Sequence, residues 1–135
     1  MKNARRMFES AAFVHENGIE LVDCGPGWCE SRLTVKSHHL QQNGFLHAGL
    51  QATIADHTAG AAACSLIGSD EAILSIEFKL NLLRPGIGES VRCRGEVIKP
   101  GKTVIVTEAW VYSIHNGQEK LVSKMTATMA VVARM

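Results

Sequence analysis

The second half of the chain alternates apolar and polar residues over much of its length. From position 74 to position 82 every even-numbered residue is apolar and every odd-numbered one is polar. This period of two is typical of a strand with one buried face. Turn signals such as Asn116-Gly117 divide the rest of the chain into further antiparallel strands. The pattern therefore predicts four consecutive strands, over residues 72–82, 89–99, 103–114 and 120–133.

The first part of the chain predicts a short helix and two strands. Residues 1–17 are interpreted as an N-terminal amphipathic helix, with apolar positions on one face of Ala4–Glu16 and a stop signal at Asn17. A Gly-Pro-Gly turn then separates two stretches of strand-like composition. We predict strands over Ile19–Cys24 and Trp28–Val35.

A long apolar helix is predicted from Ala48 to Ile67, after a polar and irregular stretch over residues 37–46. Its apolar residues cover most of its circumference, which indicates a helix buried on nearly all sides. About 20 residues would suit a membrane span. The polar residues Gln51, Asp56 and His57 interrupt it, and we therefore favour a buried central helix.

The order of elements predicts the architecture. Two strands precede the long helix and four come after it, and no second long helix is available to cover the sheet. One antiparallel sheet must therefore wrap around one central helix, which is the α+β architecture called the hotdog fold. A chain of 135 residues is large enough for one core and too small for two. We predict a single domain over residues 1–135.

Composition excludes several classes of function. The 14 Lys and Arg nearly balance the 13 Asp and Glu, and no basic stripe typical of a nucleic-acid binder is present. The four cysteines lack C-x-x-C spacing and no secretory signal is evident, so we expect reduced thiols, a cytoplasmic protein and no membrane partner. The histidines lack the spacing of a metal motif, and we expect no metal.

The candidate chemistry lies around the start of the long helix. Ala48 and Gly49 open the helix, so their N–H groups have no intrahelical partner. With the helix dipole, such donors suit a carbonyl oxygen that gains negative charge. Asp56 is costly to bury on so apolar a helix unless it has a partner or a use. It suits a general base or a nucleophile, and the plain alternative is a carboxylate held by local hydrogen bonds.

This stretch resembles the hotdog thioesterases of the phenylacetate-pathway and 4-hydroxybenzoyl-CoA type. His47-Ala48-Gly49 stands where the family carries His-Gly-Gly, and Asp56 lies nine residues after His47, as in the family. The strand with Ser75 and the turn Arg84-Pro85-Gly86 also match. The resemblance implies an acyl-CoA thioesterase that releases a free acid and CoA, with no cofactor apart from the CoA of the substrate.

Further polar residues are candidates, each with a structural alternative. The resemblance places at Gln41 an amide that orients the nucleophile or thioester, although Asn43 competes for this role and either also suits a loop residue. His47 either positions the carbonyl or has a structural role at the helix start. Ser75 is implied to hydrogen-bond the attacking water in the partner's site, or it is a solvent-facing strand residue.

The spacing of Ala48 and Asp56 predicts a dimer. They are eight residues apart on one helix, or about 12 Å at 1.5 Å per residue. An oxyanion donor and an acid must both lie about 3 Å from the reacting group. One helix cannot satisfy this, whereas two antiparallel helices across a two-fold axis can. We therefore expect a homodimer, or a tetramer built as a dimer of dimers.

Two other functions remain open, together with the acyl group itself. An enoyl-CoA hydratase or dehydratase on this fold needs a histidine before the helix, and His39 is the nearby candidate. A non-catalytic acyl-CoA binding module would use Asp56 structurally. For any of these functions, the thioesterase included, the phosphates of CoA have three candidate surface contacts: Arg84, Lys99 and Lys102.

Overall fold

The computed structural model describes residues 2–135, so the first residue of the predicted N-terminal helix and of the predicted domain lies outside it. Three α-helices and six strands succeed one another in the order α1–α2–β1–β2–α3–β3–β4–β5–β6. Their bounds are Lys2–Ser10 for α1, Ala12–Glu16 for α2, Glu20–Gly25 for β1, Trp28–Thr34 for β2, Ala48–Cys64 for α3, Glu71–Leu82 for β3, Ser90–Lys99 for β4, Val104–His115 for β5 and Gln118–Ala133 for β6.

The strands form one antiparallel sheet in the order β1-β2-β4-β5-β6-β3. Tight turns make β4, β5 and β6 neighbours, whereas β3 crosses to the far side of β6. The predicted class, an antiparallel sheet wrapped around a long helix, is confirmed. Strands β1 and β3 lie at the two edges of the sheet, and the candidate site residue Ser75 is on the edge strand β3.

Helix α3 lies against the inner face of the sheet and forms the centre of the core. Ile54, Ala55 and Ala59 are fully buried, as the apolar pattern predicts. Gly95 of β4 allows the closest approach, because a Cβ there would lie 2.8 Å from the carbonyl oxygen of Thr58. No helix within residues 2–135 has both the length and the apolar composition needed to cross a membrane.

Several predicted boundaries were wrong. The N-terminal helix is divided at Ala11, whose backbone is extended and precedes α2. Helix α3 ends at Cys64 rather than Ile67, because the next residue, Ser65, turns its hydroxyl to the carbonyl of Ala62 and accepts the N–H of Gly27. The stretch 37–46 is also more regular than expected, with a 3-10 helix over Ser37–His39 and a bridge between Leu40 and Leu46.

Strand β3 differs most from its sequence pattern. Its register with β6 shifts between Ser75 and Glu77, so that Ile76 lies in a bulge and Leu74 faces the opposite side from Phe78. As an edge strand it leaves these apolar side chains exposed, with 57% of Ile76 accessible. The alternation therefore predicted the strand correctly but wrongly indicated one buried face.

The cysteines behave as buried apolar residues. Cys24 and Cys29 face each other across the β1–β2 hairpin. Cys29, Cys64 and Cys93 are buried free thiols. Burial raises the pKa of Cys29 and of Cys93 to about 12, so these thiols are poor nucleophiles at neutral pH.

Candidate active site

His47 caps the start of α3. Its backbone is extended (φ −64°, ψ 138°), and its Nδ1 accepts the N–H of Gly49 at 2.8 Å. Because Nδ1 is an acceptor, the proton of the neutral ring is on Nε2. The Nδ1 atom of His47 therefore has the structural role that the sequence left open, as a helix cap. The Nε2–H group remains available as a donor at the exposed helix start.

This cap changes the prediction for the helix-start amides. The Gly49 N–H is engaged by His47, so it is not the open donor that the sequence suggested. The Ala48 N–H has no acceptor among residues 2–135. At the first position of the helix it points along the axis, where the dipole favours negative charge. The structure thus leaves one open amide, and it belongs to Ala48.

Ala48 lines a groove of about 460 Å³ that we call the helix-start groove. Apolar side chains form most of its walls, and Gly86 holds the backbone of one wall close to Leu46, whose N–H binds the Gly86 carbonyl at 3.0 Å. The lining residues are Gln41, Phe45, Leu46, His47, Ala48, Gln51, Leu82, Leu83, Arg84, Pro85 and Gly86.

Of the two amide candidates, Gln41 lines this groove and Asn43 does not. The Oε1 of Gln41 accepts the backbone N–H of Asn43 and, at 3.4 Å, that of Phe45. Its oxygen therefore holds the tight turn before the helix, which agrees with the loop role considered for it. Any contact of Gln41 with a thioester must use its Nε2 amide group.

Gln51 is a groove residue that the sequence reasoning missed as a site residue. It is buried, and its Nε2 donates to the carbonyl of Leu46 at 3.2 Å. Its Oε1 is buried without a hydrogen-bond partner. The signal was visible in the sequence, since a glutamine interrupts an otherwise apolar helix.

Asp56 and Ser75 form a pair on the side of α3 that faces the edge strand. The Ser75 hydroxyl donates to Oδ1 of Asp56 at 2.6 Å, and Oδ1 belongs to a half-buried carboxylate. The sulfur of Met129 lies 3.3 Å from the same hydroxyl. The structure therefore brings together two of the predicted site residues within one chain, and the hydroxyl fixes the orientation of the carboxylate.

The acid and the open amide are not brought together in one chain. Both lie on the uninterrupted helix α3, eight residues or about 12 Å apart. The helix-start groove includes Ala48 but not Asp56. Each chain thus presents two separate candidate half-sites, the Ala48 amide and the Asp56–Ser75 pair.

Two histidines near the site have structural roles. The Nδ1 of His39 accepts the N–H of Lys36, so its Nε2–H donates to the carbonyl of Asn17, and burial lowers the pKa of His39. His57 donates to the carbonyl of Met7 at 3.1 Å, and burial lowers its pKa more than Met7 and Asp56 raise it. With both ring nitrogens bound, His39 is a poor proton carrier for a hydratase. Within residues 2–135 His, Cys, Asp and Glu form no cluster of three suited to a metal.

The basic candidates lie at opposite ends of the sheet. Arg84 lines the helix-start groove and donates to the carbonyl of Leu121, near the start of β6. Lys99 pairs with Val106 at the start of β5, and Lys102 lies in the adjoining turn. One chain therefore brings only Arg84 close to the Ala48 amide.

The chain is similar to known proteins over most of its length. The family model described as the thioesterase superfamily matches residues 43–120, more than half of the chain. A 1,4-dihydroxy-2-naphthoyl-CoA hydrolase of Listeria monocytogenes is 32% identical over 114 residues, covering 84% of this chain and 90% of that protein. The acyl-coenzyme A thioesterase PaaI of Escherichia coli is 29% identical over 123 residues, covering 90% of this chain and 84% of that protein.

The fold is shared with solved structures of the same family. A thioesterase family protein from Silicibacter pomeroyi superposes with a TM-score of 0.95 at 36% identity, covering 98% of this chain and 97% of that one. The matched region includes both half-sites, from the turn before α3 to the start of β6. The chain belongs to the thioesterase superfamily and is a thioester hydrolase.

Proposed function

We propose that this protein hydrolyses an acyl-CoA to a free acid and CoA in a site shared between two subunits. The observation that carries the proposal is the division of α3 into an open amide at Ala48 and a carboxylate at Asp56 held by Ser75. The relatives named above, a 1,4-dihydroxy-2-naphthoyl-CoA hydrolase and an acyl-coenzyme A thioesterase, support CoA as the thiol.

The two half-sites define the chemistry. The thioester carbonyl enters the helix-start groove and its oxygen accepts the Ala48 N–H, which stabilises the negative charge of the tetrahedral intermediate. The partner subunit's Asp56 approaches the carbonyl carbon. It either takes a proton from the attacking water or attacks the carbon itself to give an anhydride that water then hydrolyses. In both cases the C–S bond breaks and CoA leaves as the thiol.

The exposed edge strand β3 supports the dimer. Leu74, Ile76, Phe78 and Leu82 are each more than 40% exposed on an edge with unpaired backbone groups. Such an edge is a template for pairing with another strand. Two copies joined antiparallel through β3 would bring their α3 helices side by side in opposite directions, so that each acid approaches the other chain's helix start.

The same arrangement suggests the CoA contacts. Arg84 borders the groove that receives the carbonyl, and a guanidinium suits a phosphate. Lys99 and Lys102 lie at the far end of the sheet, which an antiparallel partner brings towards the groove. We therefore assign Arg84 to the chain that holds the carbonyl and the two lysines to its partner.

Replacing Asp56 by Asn tests the proposal. Asn keeps the size and still accepts a hydrogen bond from Ser75, but it neither takes a proton from water nor attacks the carbonyl. We expect kcat with acyl-CoA substrates to fall about 100- to 10,000-fold, measured as thiol release with a chromogenic disulfide.

The matched control is Asp70→Asn, an exposed aspartate in the turn before β3, which should leave turnover unchanged. Wild-type turnover by Asp56→Asn would contradict the assigned role of the acid. Tight acyl-CoA binding by the wild type without thiol release would contradict the hydrolase mechanism and support a binding module.

A further inference from the structure

The open face of α3 that carries Asp56 ends one turn later, where helix α1 covers it. Ala52 and Asp56 are half-buried, whereas every residue from Thr58 to Cys64 is buried. Gly60 comes four residues after Asp56 and therefore lies on the same face of the helix. A Cβ at Gly60 would meet the terminal methyl of Met7, on α1, at 3.4 Å. Met7 thus closes this face of α3 just beyond the candidate acid.

Helix α1 is held in this position by α3 itself. The Nε2 atom of His57, the residue after Asp56, donates to the carbonyl of Met7 at 3.1 Å. The ring of Phe8 packs edge-on against the His57 ring, with 4.7 Å between the ring centroids. Phe8 is buried by this contact, while Met7 is half-buried. The backbone of Met7 is therefore fixed relative to Asp56, and its side chain stays partly accessible.

The proposed dimer brings this end of the open face close to the acyl group. With the partner's Ala48 opposite Asp56, antiparallel helices put Gly60 about 6 Å further along the axis, opposite the segment before the partner's helix start. In each chain Phe45 and Leu46 of that segment line the helix-start groove. An acyl group whose carbonyl carbon lies at Asp56 therefore extends between the partner's groove and the Gly60 face, towards Met7.

The two residues at this point determine what the space accepts. Gly60 contributes only backbone, so the acyl group can approach the helix closely. Met7 contributes an apolar and unbranched side chain. Apolar walls favour a hydrocarbon group, and the length available to that group ends at the methyl of Met7.

We propose that Met7 forms the far wall of the acyl site and sets the longest acyl group that the enzyme hydrolyses efficiently. The wall belongs to the same chain as the acid, and it faces the groove of the chain that holds the thioester oxygen. This inference rests on the proposed function and adds to it a residue that determines specificity. Met7 contacts the hydrocarbon end of the acyl group and leaves the chemistry at the carbonyl unchanged.

The dependence of kcat/KM on acyl length measures the position of this wall. For the wild type, thiol release is measured with straight-chain acyl-CoAs from acetyl to dodecanoyl and with phenylalkanoyl-CoAs from benzoyl to 6-phenylhexanoyl. In each series kcat/KM should rise with length, because each buried methylene adds about fourfold, and then fall once the acyl group reaches Met7. A value that rises to the longest member of both series would overturn the inference.

Met7→Ala and Met7→Trp then move the wall in opposite directions. Alanine removes the side chain beyond Cβ, so an acyl group two carbons longer than the wild-type optimum should gain about tenfold relative to that optimum. Tryptophan is larger and should shift the optimum to a shorter acyl group. The control is Glu9→Ala, a truncation at an exposed position of the same helix, which should keep the wild-type profile.

A change at the opposite side of the same space keeps the test decisive if the α1 variants do not fold. Gly60→Leu places a side chain against Met7 from α3 and should shorten the preferred acyl group, as Met7→Trp does. The profile compares substrates on one enzyme preparation, so a smaller folded fraction does not alter it.

The outcomes separate this inference from the function beneath it. Thiol release with the same length profile in the wild type and in the variants of Met7 and Gly60 overturns the role of Met7 and leaves the thioesterase proposal intact. An equal loss at every acyl length, with a lower melting temperature, shows that Met7 only stabilises the packing of α1 and overturns the inference too. If the wild type releases thiol from no member of either series, both proposals fail for this panel.

Discussion

At the scale of single residues, the start of α3 separates the helix cap from the amide proposed as the oxyanion donor. The His47 ring holds the Gly49 amide, whereas the amide of Ala48, a residue that lines the groove, is not engaged by any acceptor within residues 2–135. Ala48 is the first residue of the helix, a position where proline is tolerated because its N–H has no intrahelical acceptor. The ψ of 138° at His47 is also what a residue before proline requires. The amide hydrogen can therefore be removed with little change to the fold.

We expect Ala48→Pro to lose about 100- to 1,000-fold in kcat/KM, the typical cost of one oxyanion donor, while its thermal unfolding stays close to that of the wild type. Steady-state thiol release and a melting curve measure the two quantities. Ala48→Gly keeps the amide and is the matched control, with activity near the wild type. Full activity in the proline variant would show that the Ala48 amide does not contact the carbonyl.

The sequence predicted these residues only in part. Ala48 and Asp56 were identifiable because helix geometry and the cost of a buried carboxylate act on residue type alone. The loss of Gly49 as an open donor depends on the rotamer of His47, and the unsatisfied oxygen of Gln51 depends on which end of its carboxamide meets Leu46. These hydrogen bonds depend on side-chain rotamers in the folded structure, so the pattern of residue types along the chain does not predict them.

At the scale of elements, the apolar patterns predicted the strands and the long helix well. Alternation of apolar and polar residues indicated the strands, and apolar residues on nearly all sides indicated the buried helix. They failed at β3, where the bulge at Ile76 reverses the faces and the edge position exposes the apolar side chains. They also failed at Ala11, where α1 and α2 separate. The bulge in β3 and the division between α1 and α2 depend on the neighbouring elements that pack against them. A single stretch of sequence does not specify those neighbours.

The packing of α3 on β4 gives a prediction at this scale. A Cβ at Gly95 would lie 2.8 Å from the carbonyl oxygen of Thr58 and 2.9 Å from the amide of Ala59, both backbone atoms that cannot rotate away. Gly95→Ala should therefore push the helix from the strand and lower the free energy of unfolding by about 1–3 kcal/mol, measured by urea denaturation.

The control for Gly95 is a glycine with more room. At Gly60, also buried, a Cβ would meet the flexible end of Met7 at 3.4 Å, and alanine favours the helix by up to about 1 kcal/mol. Gly60→Ala should thus be neutral or stabilising. Equal urea midpoints for the two variants would show that the strand and helix are not in close contact at Gly95.

At the scale of the whole molecule, the two edges of the sheet differ in character. At the β3 edge four large apolar side chains are exposed, whereas β1, at the opposite edge, exposes one, Val22, beside the charged Glu20 and Asp23. The distance between Ala48 and Asp56 predicts a dimer from the sequence, and the exposed β3 edge offers a surface for this proposed dimer. The sequence did not predict that this edge is exposed, because the same alternation of apolar and polar residues is typical of a strand with a buried face.

Sharing of the site gives a prediction that involves both subunits. In a dimer of one Ala48→Pro chain and one Asp56→Asn chain, the two defects fall together in one site. The other site combines the intact amide of the Asp56→Asn chain with the intact acid of its partner, so it is complete. If the chains mix at random, half of the dimers are mixed and each has one working site. The mixture should therefore regain about a quarter of wild-type activity.

Co-refolding equal amounts of the two variants, with a tag on one chain to count mixed dimers, measures this recovery. Each variant refolded alone is the control and should stay nearly inactive. The recovered activity must also rise and fall with the fraction of mixed dimers, since neither parent dimer contains an intact pair. If mixed dimers form and activity does not return, the Ala48 amide and the Asp56 carboxylate do not meet across the subunit boundary, and the separation of about 12 Å along α3 would need a different explanation.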